Sequence, residues 1–289
     1  TSHLVRMQAL KDRTRNSLTE VIDRVRGPKA LVIDPTLSGP LGLIAEKQLL
    51  KDHGVEKTYH LRGEPLDTDQ RRIMYLVREK ISNMKLIADH IRSHQQQRQK
   101  LEYFVCMVPR KTIVCERVLE EEGVYGEVQL GEFDLDFIPF EDDLISLEVQ
   151  DGFRECTVEG DPSVLYYAAR SLLRLEPLFG GRIPRIRGKG HDARTVAEIL
   201  LRLQREEPPP PSPPVWGPAG DATAQDPEFE ELVIIDREVD LVTPLLTQLT
   251  YEGLIDDIFG MSHGVVELPA SLIAGAQGAG AAAAAAGSG

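Results

Sequence analysis

Short apolar runs alternate with amphipathic stretches along most of this chain. Between residues 4 and 26 the apolar positions Leu4, Met7, Leu10, Leu18, Val21, Ile22 and Val25 fall mostly three, four or seven apart. That spacing lays one stripe along a helix, and Gly27-Pro28 ends it. ALVID (30–34) then reads as a β-branched strand stopped by Pro35. A loop, TLSGP, and a helical pattern, LGLIAEKQLLKDHG, follow, the latter closing on Gly54, where a glycine can take the left-handed conformation. The unit repeats: KTYHL (57–61) and IMYLV (73–77) as strands, ISNMKLIADHIRSHQQQRQ (81–99) as a helix, LEYFVCMV (101–108) as a strand, KTIVCERVLEEEG (111–123) as a helix and EVQL (127–130) as a strand.

Strands as continuously apolar as IMYLV and YFVCMV are buried on both faces, which is the signature of parallel strands joined by crossover helices. An open, doubly wound α/β domain is therefore expected over 28–139, preceded by the helix of 1–27. Part of a second α/β domain is expected over 140–270. It has a helix at 163–178, a turn in IPRIRGKG, a helix at 193–206 and a buried strand, ELVIID (231–236). Beyond it the chain turns at Thr243-Pro244 and reads as helix through Phe259. The segment 206–228 is too rich in Pro, Gly and Ala for packed structure and reads as an extended insert. Residues 271–289 form a low-complexity tail.

The chain has 289 residues, 42% of them hydrophobic, with a formal net charge of −13. A field of that sign repels phosphate backbones, which argues against nonspecific nucleic-acid binding. Residues 116–159 hold fifteen Asp or Glu against two Arg, whereas 170–205 hold nine Lys or Arg against Glu176, Asp192 and Glu198. Neighbouring segments of opposite sign point to complementary contacts more than to a catalytic field. The three cysteines, Cys106, Cys115 and Cys156, fit neither a disulfide framework nor a zinc site, and a reducing cytosolic setting suits them. No apolar run approaches the ~20 residues needed to span a bilayer.

Candidate chemistry is sparse. GKG (188–190) invites a phosphate loop, but Gly181 lies seven residues before Gly188 rather than five, and Gly190 stands where magnesium would need a hydroxyl. The plainer reading is a turn before a helix capped by Asp192. The first strand leads into DPTLSGPLG, whose Gly39 and Gly42 do not make a dinucleotide fingerprint. Asp236, Arg237, Glu238 and Asp240 end a strand, where open α/β enzymes place carboxylates, and Asp34 ends another. The alternative is that Asp236 and Asp240 cap turns. His90 and His94, four apart on a helix, could pair on a metal but lack a third ligand, and a solvated helix end is the plainer reading. Cys106 is expected in the core, and Cys115 and Cys156 have no adjacent histidine. No catalytic residue, cofactor or metal is expected.

Four strings carry more: GPLGLIAEKQLLKDHGVEK, LEEEGVYGEV, DLDFIPFEDDLISLE and LVIIDREVDLVTPLLTQLTYEGLIDDIFG. Together they resemble the SM (Sec/Munc-type) family of SNARE regulators over about residues 28–268, and within it the vacuolar-sorting branch. The last string is the most specific, with Asp236, Arg237, Asp240, Thr243, Pro244, Tyr251, Glu252 and Asp256 at signature positions. The resemblance implies an arch-shaped non-enzyme of vesicle-mediated transport, whose first two domains are α/β with parallel sheets. It implies SNARE proteins and helical tethering-complex subunits, in HOPS or CORVET, as partners. It also implies peripheral association with late endosome, lysosome or vacuole membranes. At less than half the usual family length, the chain lacks the helical third domain and reads as an N-terminal fragment. Two rivals remain: a nucleotide- or phosphometabolite-binding α/β enzyme using Lys189 and Asp236, and a truncated product without function.

Overall fold

The structure, a computed structural model, describes residues 2–98, 100–141, 143–149, 151–206 and 229–269. It divides into two compact units, Thr1–Asp236 and Arg237–Gly289.

The first unit opens with α1 (Ser2–Asp23), β1 (Lys29–Ile33), α2 (Pro35–Ile44), α3 (Lys47–Asp52), β2 (Val55–His60) and β3 (Arg72–Arg78). It continues with α4 (Ile81–Gln96), β4 (Glu102–Val108), α5 (Ile113–Glu121) and β5 (Val128–Glu132). The five strands form one parallel sheet in the order β2-β1-β3-β4-β5. The strand order reverses between β1 and β3, the switch point of a doubly wound sheet.

Alternation along the strands sends side chains to two cores. Leu31, Ile33, Met74, Leu76, Cys106 and Val108 pack with Leu18 and Ile22 of α1 and Val25 just past its end, with Leu37, Leu41 and Ile44 of α2, and with Phe133 and Leu135. Val32, Ile73, Tyr75, Val77, Tyr103, Val105 and Met107 pack with Met84, Ile87 and Ile91 of α4 and Cys115, Val118 and Leu119 of α5. Residues 73–77 of β3 are all buried, as that unbroken apolar run requires. Lys29 is buried at the start of β1, where its ammonium donates to Ile22 O (2.9 Å) and His53 O (2.8 Å) and ties the ends of α1 and α3 together. Burial lowers its pKa.

Two expectations for this sheet need correction. TLSGP is helix, not loop: Asp34 caps it by accepting from Thr36 N–H (2.9 Å), and Pro35 takes the first helical position, where its missing N–H costs nothing. The expected single helix 41–54 is two, because α2 ends at an extended Ala45 and α3 starts after Glu46.

The chain then makes a small antiparallel hairpin, β6 (Ile138–Pro139) with β7 (Ile145–Ser146), and a short turn, α6 (Gly152–Arg154), that runs into a wider π-helical turn. After α7 (Ser163–Leu175) come β8 (Ile186–Lys189), α8 (His191–Glu206) and β9 (Leu232–Ile235). β8 and β9 are parallel. Ala169, Val196, Leu200 and Leu203 form the core between α7 and α8, with Leu232 and Ile234 against it. The helix expected over 163–178 stops at Leu175, and a 3-10 turn, Glu176–Phe179, finishes it with Pro177 in its first turn. The supposed turn at GKG is strand through Lys189. Most of the insert, 207–228, and all of the tail lie outside the described residues.

The second unit holds two 3-10 turns, Arg237–Val239 and Thr243–Leu245, then α9 (Tyr251–Phe259) and a hairpin of β10 (Met261–Ser262) and β11 (Val265–Val266). The helix expected directly after Pro244 begins only at Tyr251, because Thr250 caps it by accepting from Gly253 N–H (3.1 Å).

Candidate functional site

Two places collect the polar side chains that sequence singled out. One is the strand end at Asp236. The other is the carboxyl edge of the five-stranded sheet.

Asp236 closes β9 and is buried. Its backbone N–H donates to Lys189 O (3.0 Å), and its carboxylate accepts from the backbone N–H of Asp192 (2.9 Å) in the first turn of α8. The cap on α8 thus comes from the neighbouring strand, not from Asp192 as expected. The Asp192 carboxylate instead accepts from the Cys156 thiol (3.4 Å), whose pKa is pushed up to about 11 by burial and by that carboxylate. Gly190 makes the close approach possible. Its φ is +107°, and a Cβ there would meet the Asp236 Cβ at 2.3 Å. A helix N-terminus is where an anion binds, and at α8 that place already holds a carboxylate of this chain. The geometry therefore leaves the phosphate loop considered for Lys189 without its cradle.

The other residues singled out in that last string belong to the second unit, where several hold turns. Asp240 accepts from Val242 N–H (3.1 Å), Thr243 N–H (3.0 Å) and the Thr243 hydroxyl, and those bonds, the hydroxyl's foremost, hold its carboxyl below the usual range. Arg237 donates to Asp240 O (3.0 Å), and Pro244 occupies the first turn of the following 3-10 segment. Asp256 accepts from Met261 N–H (2.6 Å) and fixes the exit of α9. Gly253 is obligatory, since a Cβ would lie 2.5 Å from the Gln248 Cβ. Between these turns apolar side chains face outward: Leu249 is 93% exposed, Leu245 85% and Tyr251 84%. Glu252 is exposed on the same helix.

At the sheet edge, Asp34 is buried and satisfied. Besides capping α2 it accepts from Arg78 N–H (3.2 Å) and the Asn83 amide (2.6 Å). It is thus bound to the neighbouring β3–α4 turn. Residues 148–149 and 151–161 close over this edge. Arg78 donates to Glu148 O (3.3 Å), Lys80 pairs with Asp151 (3.4 Å) and Glu155 (3.7 Å), and the Tyr167 hydroxyl donates to Glu79 (2.5 Å).

Neither reading of the histidine pair holds. His90 and His94 are not at a solvated end, nor do they share a metal; no metal-ligand cluster occurs among the described residues. Both are buried. His90 contacts the Tyr75 hydroxyl (3.3 Å) and Arg62 O (2.8 Å), and His94 contacts the Tyr103 hydroxyl (3.1 Å) and Leu66 O (2.7 Å). Together they clasp the β2–β3 loop onto the sheet, and burial lowers the His90 pKa. Cys106 and Cys115 lie in the core, with the Cys106 thiol pushed up to about 12 by burial. Sequence reasoning missed a further cluster. Arg174 pairs with Asp134 (2.6 Å) and Asp136 (3.1 Å), Arg170 also pairs with Asp134 (3.3 Å), and the Ser171 hydroxyl donates to Asp136 (3.3 Å). The alternation in FDLDF, with i and i+2 carboxylates on one side, was its only sequence signal.

Residues 29–275 match the Sec1 family. The chain belongs to the Sec1/SM family. It is 41% identical over 267 residues to vacuolar protein sorting-associated protein 33A of Rattus norvegicus, covering 92% of this chain and 43% of that one. It is 40% identical over 271 residues to the vacuolar protein-sorting-associated protein 33 homolog of Arabidopsis thaliana, covering 94% and 44%. This Sec1/SM chain thus spans less than half the length of those curated relatives. Among solved structures, the SM protein Vps45 in complex with the Qa SNARE Tlg2 shares the fold (TM-score 0.58, 19% identity, 89% of this chain and 44% of that one). The Unc18–syntaxin 1 complex from Monosiga brevicollis does so too (TM-score 0.56, 17% identity, 84% and 42%). The parallel α/β architecture read from periodicity is that of this family, and no helix among the described residues is long and apolar enough to cross a membrane.

Proposed function

We propose that this chain is the N-terminal part of an SNARE-binding SM subunit that acts in vesicle fusion on the route to the lysosome or vacuole. The observation that carries this reading is the 41% identity to a vacuolar sorting protein over nearly the whole chain. Structural relatives complexed with a Qa SNARE and with syntaxin 1 support SNARE proteins as partners. The finer reading has helical tethering subunits of HOPS or CORVET hold the protein at late endosome, lysosome or vacuole membranes, with no catalysis. In support, every carboxylate that an α/β hydrolase or nucleotide enzyme would deploy at Asp34 and Asp236 is committed to a backbone amide.

Co-purification from cells tests this. Recovery of SNAREs and helical tethering subunits with the native product is the expected result. Recovery of neither would overturn it, and a saturable nucleotide affinity lost on Lys189→Ala would put an enzyme in its place.

A further inference from the structure

The loop between β2 and β3 is pinned by two imidazoles whose bonds fit only one protonation state. His90 and His94 stand one turn apart on the buried face of α4. They meet Arg62 O (2.8 Å) and Leu66 O (2.7 Å), which are also four residues apart. A carbonyl oxygen only accepts, so each Nε2 carries a hydrogen and donates it. Each Nδ1 is then an acceptor, and a buried tyrosine hydroxyl donates to it: Tyr75 of β3 to His90 (3.3 Å) and Tyr103 of β4 to His94 (3.1 Å).

A second proton on either ring breaks this pattern. Nδ1 becomes a donor, the facing tyrosine must turn to accept, and the hydroxyl hydrogen is left buried without an acceptor. The surrounding groups compensate little. Asp89 on α4 and Glu64 in the loop are exposed, β3 and β4 present Tyr75 and Tyr103, and α5 presents Cys115 to the core and Glu122 to Arg92 (2.8 Å). Burial lowers the His90 pKa and a charge on His94 works in the same direction, against the loop carbonyls of Arg62 and Glu64 and the charge of Asp89. With the loop lifted, a ring meets water and takes its proton near the usual ~6.5.

The loop has few other anchors. Leu61 and Leu66 are buried, and Lys57 pairs with Asp69 (2.9 Å) at the surface, where an ion pair contributes little. Arg62, Gly63, Glu64 and Pro65 are exposed. A segment held this way opens at lower cost than the strands beneath it. We propose that the two imidazoles make the β2–β3 loop an acid-released latch, closed while both rings are neutral and opening as a local unit, with the sheet still folded, when either ring takes a second proton.

The test is cleavage of the purified chain by thermolysin, which cuts before large apolar residues, at the buried Leu66. The rate there, divided by that of the same bond in a free peptide of residues 61–72, reports how often the loop opens and removes the pH dependence of the protease. The ratio should rise by about tenfold or more from pH 7 to pH 5, because only the open form binds the proton readily. Far-UV circular dichroism should stay unchanged over that range. In His90→Gln/His94→Gln the side-chain amides still donate to the two carbonyls but take no proton, so the ratio should be flat. A flat ratio in the parent chain overturns the proposal without any variant. A rise undiminished in the double variant, or one that appears only together with loss of circular dichroism, overturns it as well.

Discussion

At the scale of single residues, several carboxylates singled out from sequence act as caps. Asp236 supplies the acceptor at the N-terminus of a helix it does not belong to. Replacing it by Ala removes a buried partner, so Asp236→Ala should lower stability by about 1–2 kcal/mol in urea denaturation at constant m-value, with Asp236→Asn closer to wild type. Gly190→Ala should cost more, because both its φ and its contact with Asp236 exclude a Cβ. His90 carries a pH signature. Its folded-state pKa lies below the usual ~6.5 because the ring is buried, so the unfolded chain binds more protons in that range. The stability it contributes is complete above that value and is lost as pH falls through its lowered pKa. Denaturation curves between about pH 7 and about pH 5 should therefore slope less steeply in His90→Phe than in the parent chain. Sequence could not reach this outcome. A pair of histidines beside a glutamine run looks solvated until the β2–β3 loop is laid across it.

Among elements, the contact of α7 with the segment after β5 rests on charge. Arg174 reaches two carboxylates, and Asp136 is raised by burial even against that partner. Without Arg174, Asp134 is left on Arg170 and Asp136 on the Ser171 hydroxyl, each with a poorer partner set. Arg174→Ala should thus cost about 2 kcal/mol, and Arg174→Lys should recover part of it, read as the shift in thermal midpoint. The acidic stretch 116–159 and the basic stretch 170–205 meet in this cluster, which is one physical meaning of the charge asymmetry seen in sequence. Helix boundaries were less legible. Pro35 and Pro40 suggest a loop by propensity, yet Asp34 caps the segment and Leu37, Leu41 and Ile44 find a core, so burial outweighed the prolines.

For the whole molecule, the two units differ in how they treat apolar surface. The first buries it in two cores on either side of its five-stranded sheet and in another between α7 and α8. In the second, Leu245, Leu246, Leu249, Tyr251 and Ile258 are all more than half exposed, and no residue of α9 is buried. Contiguous exposed apolar side chains mark interaction surfaces or association hazards. Replacing Leu245, Leu249 and Ile258 together by Ser should reduce self-association in sedimentation experiments. The thermal midpoint of the first unit should stay within about 1 °C, since exposed sites contribute little to its stability.

The sequence by itself determined the alternating architecture, because period-2 and period-3.6 patterns are local and the apolar runs of β3 and β4 can be satisfied only between two layers. It also carried the family, through strings such as LVIIDREVDLVTPLL. Only the tertiary structure decided what individual polar groups do. The partner of Asp236 is 44 positions away in sequence, those of Arg174 are 38 and 40, and the clasp of His90 and His94 reaches back 28. A carboxylate or imidazole is a site, a cap or a clasp according to which long-range backbone amide or carbonyl meets it, and that choice is made when the layers pack.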